Sequence, residues 1–183
     1  MALAASLAAV LLPAASPLLS LDAESAFAAG CRGSGKGPHK ITTERAARAV
    51  TCLINERRRH HGRSRLRARG SLVQAAERHS ARMQERSCYS HKCPGEAGLE
   101  GRVTSTGYLP CGCAWGLGEN IAWGRRSRGS PSRIVRSWMH PGYHRETLLD
   151  GSFRHVGVGV VWGSASDPGA RVGIFTADFG YKR

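Results

Sequence analysis

The sequence predicts an α+β domain, because helical periodicity dominates from Thr43 to Met139 and two alternating, valine-rich segments close the chain. Its 183 residues suit one domain large enough to bury a real core. From Thr43 the apolar residues Ala46, Ala47, Val50, Leu53 and Ile54 recur at helical spacing. Glu44 stands early and Arg57 to Arg59 late, matching the helix dipole at both ends, so a first helix is expected to end near Gly62. The arginine-rich stretch from Arg57 to Arg69 reads as a solvated helix end and loop.

Ser71 offers an N-cap for a second helix, whose apolar face carries Leu72, Ala75, Ala76 and Met83. His79 falls on that face and is expected in the core. Residues Cys88 to Gly95, rich in Cys, Pro and Gly, read as a surface loop. Ser130-Pro131 is an N-cap followed by proline at the first helical position, and Ile134, Val135, Trp138 and Met139 supply the buried stripe of another helix. It should stop before Pro141-Gly142. Val156, Val158, Val160 and Trp162, then Val172 to Phe179, flank a turn containing Asp167-Pro168-Gly169 and read as an antiparallel pair.

Residues 1–28 read as a signal peptide: an Ala- and Leu-rich run from Leu3 to Leu21, then the small-x-small exit Ala26-Phe27-Ala28. Pro13 and Pro17 argue against a membrane anchor, although the usual positive start is missing. Lipoprotein processing at Cys31 is a further alternative, short of the branched residue wanted three places before the cysteine. The Gly-rich residues 29–41 read as a flexible arm, and residues 42–183 as the folded domain. Secretion to the extracellular space is the expected outcome.

Six cysteines beyond the leader suit an oxidising compartment, and zinc-ribbon spacing is absent. Cys31 is expected to pair with Cys52. Cys88 and Cys93 are each expected to join the Cys111 to Cys113 segment, since one intervening Gly leaves little room for a bridge within it. The net charge of +14 favours adhesion to anionic surfaces. Arg supplies nearly all of it, and the basic stretch lacks interleaved aromatic residues, so no specific nucleic-acid partner is expected. The chain is expected to be a monomer.

Nine segments then resemble the bacterial branch of the CAP superfamily (cysteine-rich secretory proteins, antigen 5 and pathogenesis-related proteins). They are Cys52-Leu-Ile-Asn55 with Arg57, Ala75 to Met83, Ser90-His91 with Pro94, Gly107-Tyr108 and Gly118-Glu-Asn-Ile-Ala-Trp-Gly124. Ser137-Trp-Met139, His144-Arg145, Gly157-Val-Gly159 and Asp178-Phe-Gly180 follow in the family's order. The resemblance implies a three-layer α-β-α sandwich with a mostly antiparallel sheet. It also implies a surface cleft with two His and, in many members, two acids, sometimes with a bound divalent ion.

Carried over residue by residue, the cleft would hold His91, Glu119 and His144, the candidate ligands for a divalent metal such as zinc. Pro141 stands where the second acid is found in animal and plant members. Two imidazoles and a carboxylate with water in the fourth place would resemble a catalytic zinc site. Equally, the three could hydrogen-bond one another and pin loops over the sheet. Neither a Gly-x-Ser-x-Gly elbow nor a spare thiol nor a phosphate loop is present. The expected function is therefore an extracellular binding or interaction module for an unidentified envelope ligand, whether lipid, partner protein or metal. A metal-dependent extracellular hydrolase is the alternative, and whether the protein is an enzyme stays open.

Overall fold

The computed structural model describes residues 30–109 and 114–183; the expected signal peptide, Cys111 and Cys113 lie outside the described residues. Helix α1 spans Thr43–His60, with the Thr42 side chain accepting from the Arg45 N–H as its N-cap. Strand β1 (Arg67–Ala68) precedes α2 (Gly70–Glu85), and α3 spans Leu99–Ser105. Strand β2 (Trp115–Arg125) leads through a 3₁₀ turn to α4 (Pro131–Trp138). Helix α5 (Tyr143–Leu149) precedes β3 (His155–Trp162) and β4 (Val172–Lys182). No helix among the described residues is long and apolar enough to cross a membrane.

The four strands lie in the order β1-β3-β4-β2; only the short β1–β3 contact is parallel. Side chains alternate between sheet faces. Val156, Val158, Val160, Phe175, Ala177 and Phe179 point one way and meet Val50, Ile54, Ile134 and Trp138 of α1 and α4 in the main core. On the opposite face, Gly157 and Gly159 let α2 lie directly on β3, because a Cβ there would fall on the backbone of Leu72–Val73 and of Ala76–Glu77. The result is the expected α-β-α sandwich. Opposed residues of neighbouring strands share a face, so Asp178, Thr176 and Ile174 of β4 and Glu119, Ile121 and Trp123 of β2 all look toward the α2 layer.

Several expectations are corrected. Arg69, not Ser71, is the N-cap of α2, and no side chain caps it. Arg58 is not solvated: it is fully buried, its guanidinium donating to the carbonyls of Ser64, Leu148 and Asp150. That burial lowers its pKa to about 10. The segment expected to be a flexible arm is tied down by the Cys31–Cys52 disulfide, by the Ser132 N–H to the Ser34 carbonyl, and by Trp162 Nε1 donating to the Ile41 carbonyl. Cys88 pairs with Cys93 rather than reaching the Cys111 segment. With only four residues between them along a tight turn, the two cysteines that follow α2 close the shorter loop.

Candidate functional site

Glu119 sits near the middle of β2, not in a loop as its Gly-rich surroundings suggest, and its side chain is 3% exposed. Gly118 makes the strand possible there, since a Cβ would strike Phe153 and Thr147. A carboxylate at this depth needs partners on both oxygens. His91, in the loop closed by the Cys88–Cys93 bridge, places Nδ1 2.7 Å from Oε1. Arg102 of α3 donates to Oε2, and its other nitrogen donates to the carbonyls of His91 and Ala97. Arg102 thereby fastens the His91 loop and the carboxylate together.

A second acid stands behind this pair. His79 of α2 is fully buried; its Nδ1 lies 2.9 Å from Glu96 and its Nε2 3.7 Å from Glu119. Glu96 also accepts from the Cys93 N–H and lies 3.9 Å from Arg102. His79 is in the interior, as its apolar face implies, yet it bridges two carboxylates. Asp178 of β4 faces Glu119 directly in the strand register, is fully buried, and neither of its oxygens has a hydrogen-bond partner among the described residues.

The charges divide accordingly. Burial pushes Glu119 up, but the His91 hydrogen bond and the Arg102 charge outweigh it and hold the carboxyl below its ordinary value. Burial, then the Glu119 charge, push Asp178 well above the usual carboxylate range. The surroundings favour the ionised form of Glu119 and the protonated form of Asp178.

His144 occupies the first turn of α5, where Asn120 Nδ2 of β2 donates to its backbone carbonyl. Burial, then the neighbouring His91 charge, hold its imidazole below the ordinary His value. Among the described residues no hydrogen bond joins the His144 side chain to Glu119 or His91. His60, His61 and His140 are exposed, and His61 lines a concavity with Gly118, Tyr143 and Arg145.

The three expected cleft residues differ in exposure. Glu119 is not solvent-accessible; of the three, His91 alone is widely exposed, at 51% of its side chain. Among the described residues no three His, Cys, Asp or Glu side chains are grouped to hold a metal ion. The Glu119 carboxylate is already taken by an imidazole and a guanidinium whose charge balances its own, so a zinc site built on it does not fit.

Sequence reasoning missed Glu96, Arg102 and Asp178. Asp178 had a signal: in the alternating run before Phe179 it shares a face with Ile174 and Thr176, an acid at an inward position. Arg102 had none, because it lies among other exposed-looking polar residues of a helix that the periodicity did not reveal.

The model of the cysteine-rich secretory protein family (CAP) matches residues 52–179. The uncharacterized protein YkwD of Bacillus subtilis (strain 168) is 30% identical over 114 residues, 61% of this chain and 41% of that one. An extracellular protein containing an SCP domain from Bacillus anthracis superposes with a TM-score of 0.58 at 22% identity, over 76% of this chain and 43% of the other. An outer surface protein of Borrelia burgdorferi gives a TM-score of 0.64 at 19% identity, over 80% and 99%. The chain spans less than half the length of YkwD and of the Bacillus anthracis protein.

Proposed function

Because the chain belongs to the cysteine-rich secretory protein (CAP) family, we propose that it acts as an exported binding module, presenting His91 and His144 to a ligand of the cell envelope. One observation carries this reading: both oxygens of Glu119 are taken, by His91 and Arg102. A general base must be free to accept a proton, and a buried, low-pKa carboxylate held by a guanidinium is not. Its role is to orient His91. With Nδ1 turned toward Glu119, the other ring nitrogen of His91 faces outward as a fixed hydrogen-bonding group. Disulfides suit an oxidising exterior, and the Bacillus anthracis and Borrelia burgdorferi relatives are described as extracellular and outer-surface proteins.

A hydrolytic reading keeps one foothold, since a carboxylate-held imidazole is also how a general base is oriented. The two readings part in one experiment. Folded wild-type protein and the His91→Ala, His144→Ala double variant are sedimented with isolated bacterial envelopes and assayed for hydrolysis of p-nitrophenyl acetate, with and without zinc. The binding module predicts retention about tenfold weaker in the double variant, for two lost hydrogen bonds, and no turnover in either. Equal retention sinks it. Turnover that disappears with His91 would favour the hydrolase.

A further inference from the structure

At the end of the sheet away from Trp115, the face that α2 covers elsewhere is left open. Helix α2 stops at Glu85, while β2 and β4 run on with Trp123 opposite Ile174 and Arg125 opposite Val172. The open cleft there encloses about 190 Å³ between Met83, Tyr89, Trp123, Val172 and Ile174. Trp123 is 52% exposed and Tyr89 50%, their rings edge to face at 6.5 Å. Trp115, at the other end of β2, lies about 26 Å from Trp123 at the usual strand rise.

Val172 also lines the neighbouring concavity, walled by Arg125, Arg126, Arg128 and Arg171, and Lys36 and Lys40 adjoin Arg126 and Arg171. All six cations are exposed, and among the described residues none is paired with a carboxylate. The nearby acid, Asp167, accepts from the Gly169 N–H within its own turn. Their backbones are joined: the Arg126 N–H donates to the Arg171 carbonyl, and Gly37 packs on the Arg126 carbonyl.

We propose that this end of the sheet docks on a membrane surface rich in anionic lipid headgroups, Trp123 and Tyr89 entering the interface while the arginines meet the phosphates. Large exposed aromatic rings sit well where one side is apolar and the other wet. Clustered arginines supply the attraction to an anionic leaflet. A sugar would leave its hydroxyls unpaired against walls that are mostly hydrocarbon and aromatic. A free polyanion would use the arginines and ignore the aromatic cleft. The proposal stands apart from the His91 site and does not depend on it.

The test is sedimentation of the full-length folded protein with phosphatidylcholine vesicles, alone or mixed with roughly equal parts phosphatidylglycerol. Retention is expected on the mixed vesicles and not on neutral ones, falling as salt is raised. Each Arg125, Arg126, Arg128 or Arg171 to Ala change should weaken it by about fivefold. Joint Trp123→Ala and Tyr89→Ala should weaken it more than Trp115→Ala, a control at the other end of β2. Acyl chains carrying bromine should quench the tryptophan emission of the wild type and much less that of Trp123→Phe, a variant that keeps the aromatic bulk and the fold. Equal retention on neutral vesicles overturns the proposal. So does heparin binding that depends on the arginines while bromine quenching is absent, which would leave only a polyanion site.

Discussion

Glu119 and Asp178 face each other across the β2–β4 ladder, two buried carboxyls of which one is held toward its ionised form by His91 and Arg102 and the other has no hydrogen-bond donor among the described residues. Like charges at such a position cannot both be ionised without cost, and the surroundings decide which gives way. The platform beneath His91 is built on that division.

The Asp178→Asn variant is expected to be more stable than the wild type at neutral pH. A raised folded pKa means that the Asp178 carboxyl favours the fold when protonated, so the wild type loses stability as pH rises from the ordinary value of 3.8 through the folded one. Asn cannot ionise. Urea unfolding at pH 7 and near pH 3 checks this: the gain should be largest at pH 7 and shrink toward the acid end.

Glu119 runs the opposite way. Its lowered folded pKa contributes stability that is present above the ordinary value of 4.5 and lost as pH falls through the folded value. The Glu119→Gln variant should therefore lack the acid-side loss that the wild type shows below 4.5, and a pH series of thermal midpoints measures it.

Arg102→Ala should cost about 3–5 kcal/mol, because it strands a buried carboxylate. His91→Ala should cost less than about 1 kcal/mol, since its side chain is half exposed and water replaces its hydrogen bond. Denaturant titration of the two variants measures the contrast; equal losses would contradict the role given to Arg102.

Non-reducing peptide mapping is expected to recover Cys31 linked to Cys52 and Cys88 linked to Cys93. Replacing the first pair by Ser should cost about 3 kcal/mol, and the second pair less, because it closes the shorter loop. A Cys88 or Cys93 peptide joined to Cys111 or Cys113 would contradict the structure.

Gly157→Ala should destabilise by about 3 kcal/mol or more, because the added methyl falls on the Leu72–Val73 backbone and pushes α2 off β3. Gly62→Ala has no such neighbour, and its cost arises from a φ of +65° alone. Comparing their thermal midpoints separates contact from backbone strain.

By itself the sequence determined the α+β class, both amphipathic helices that flank the sheet, the final strand pair and the Cys31–Cys52 link. Those are local matters: periodicity, caps, turn residues and the patterns that resemble the family are all written within a few turns of chain. Helix α5 and strand β2 were not legible, since their residues follow no strong period and β2 is interrupted by Gly116, Gly118 and Gly124, each lying where a ring or a backbone passes close. Tertiary structure alone decided which charges meet. Glu119, Arg102, Glu96, His79 and Asp178 come from three helix and loop segments and two strands, and only the α2 layer closing on the sheet takes them out of water together. Burial is a property of that closure, and it is what converts a candidate zinc carboxylate into the ionised anchor of His91.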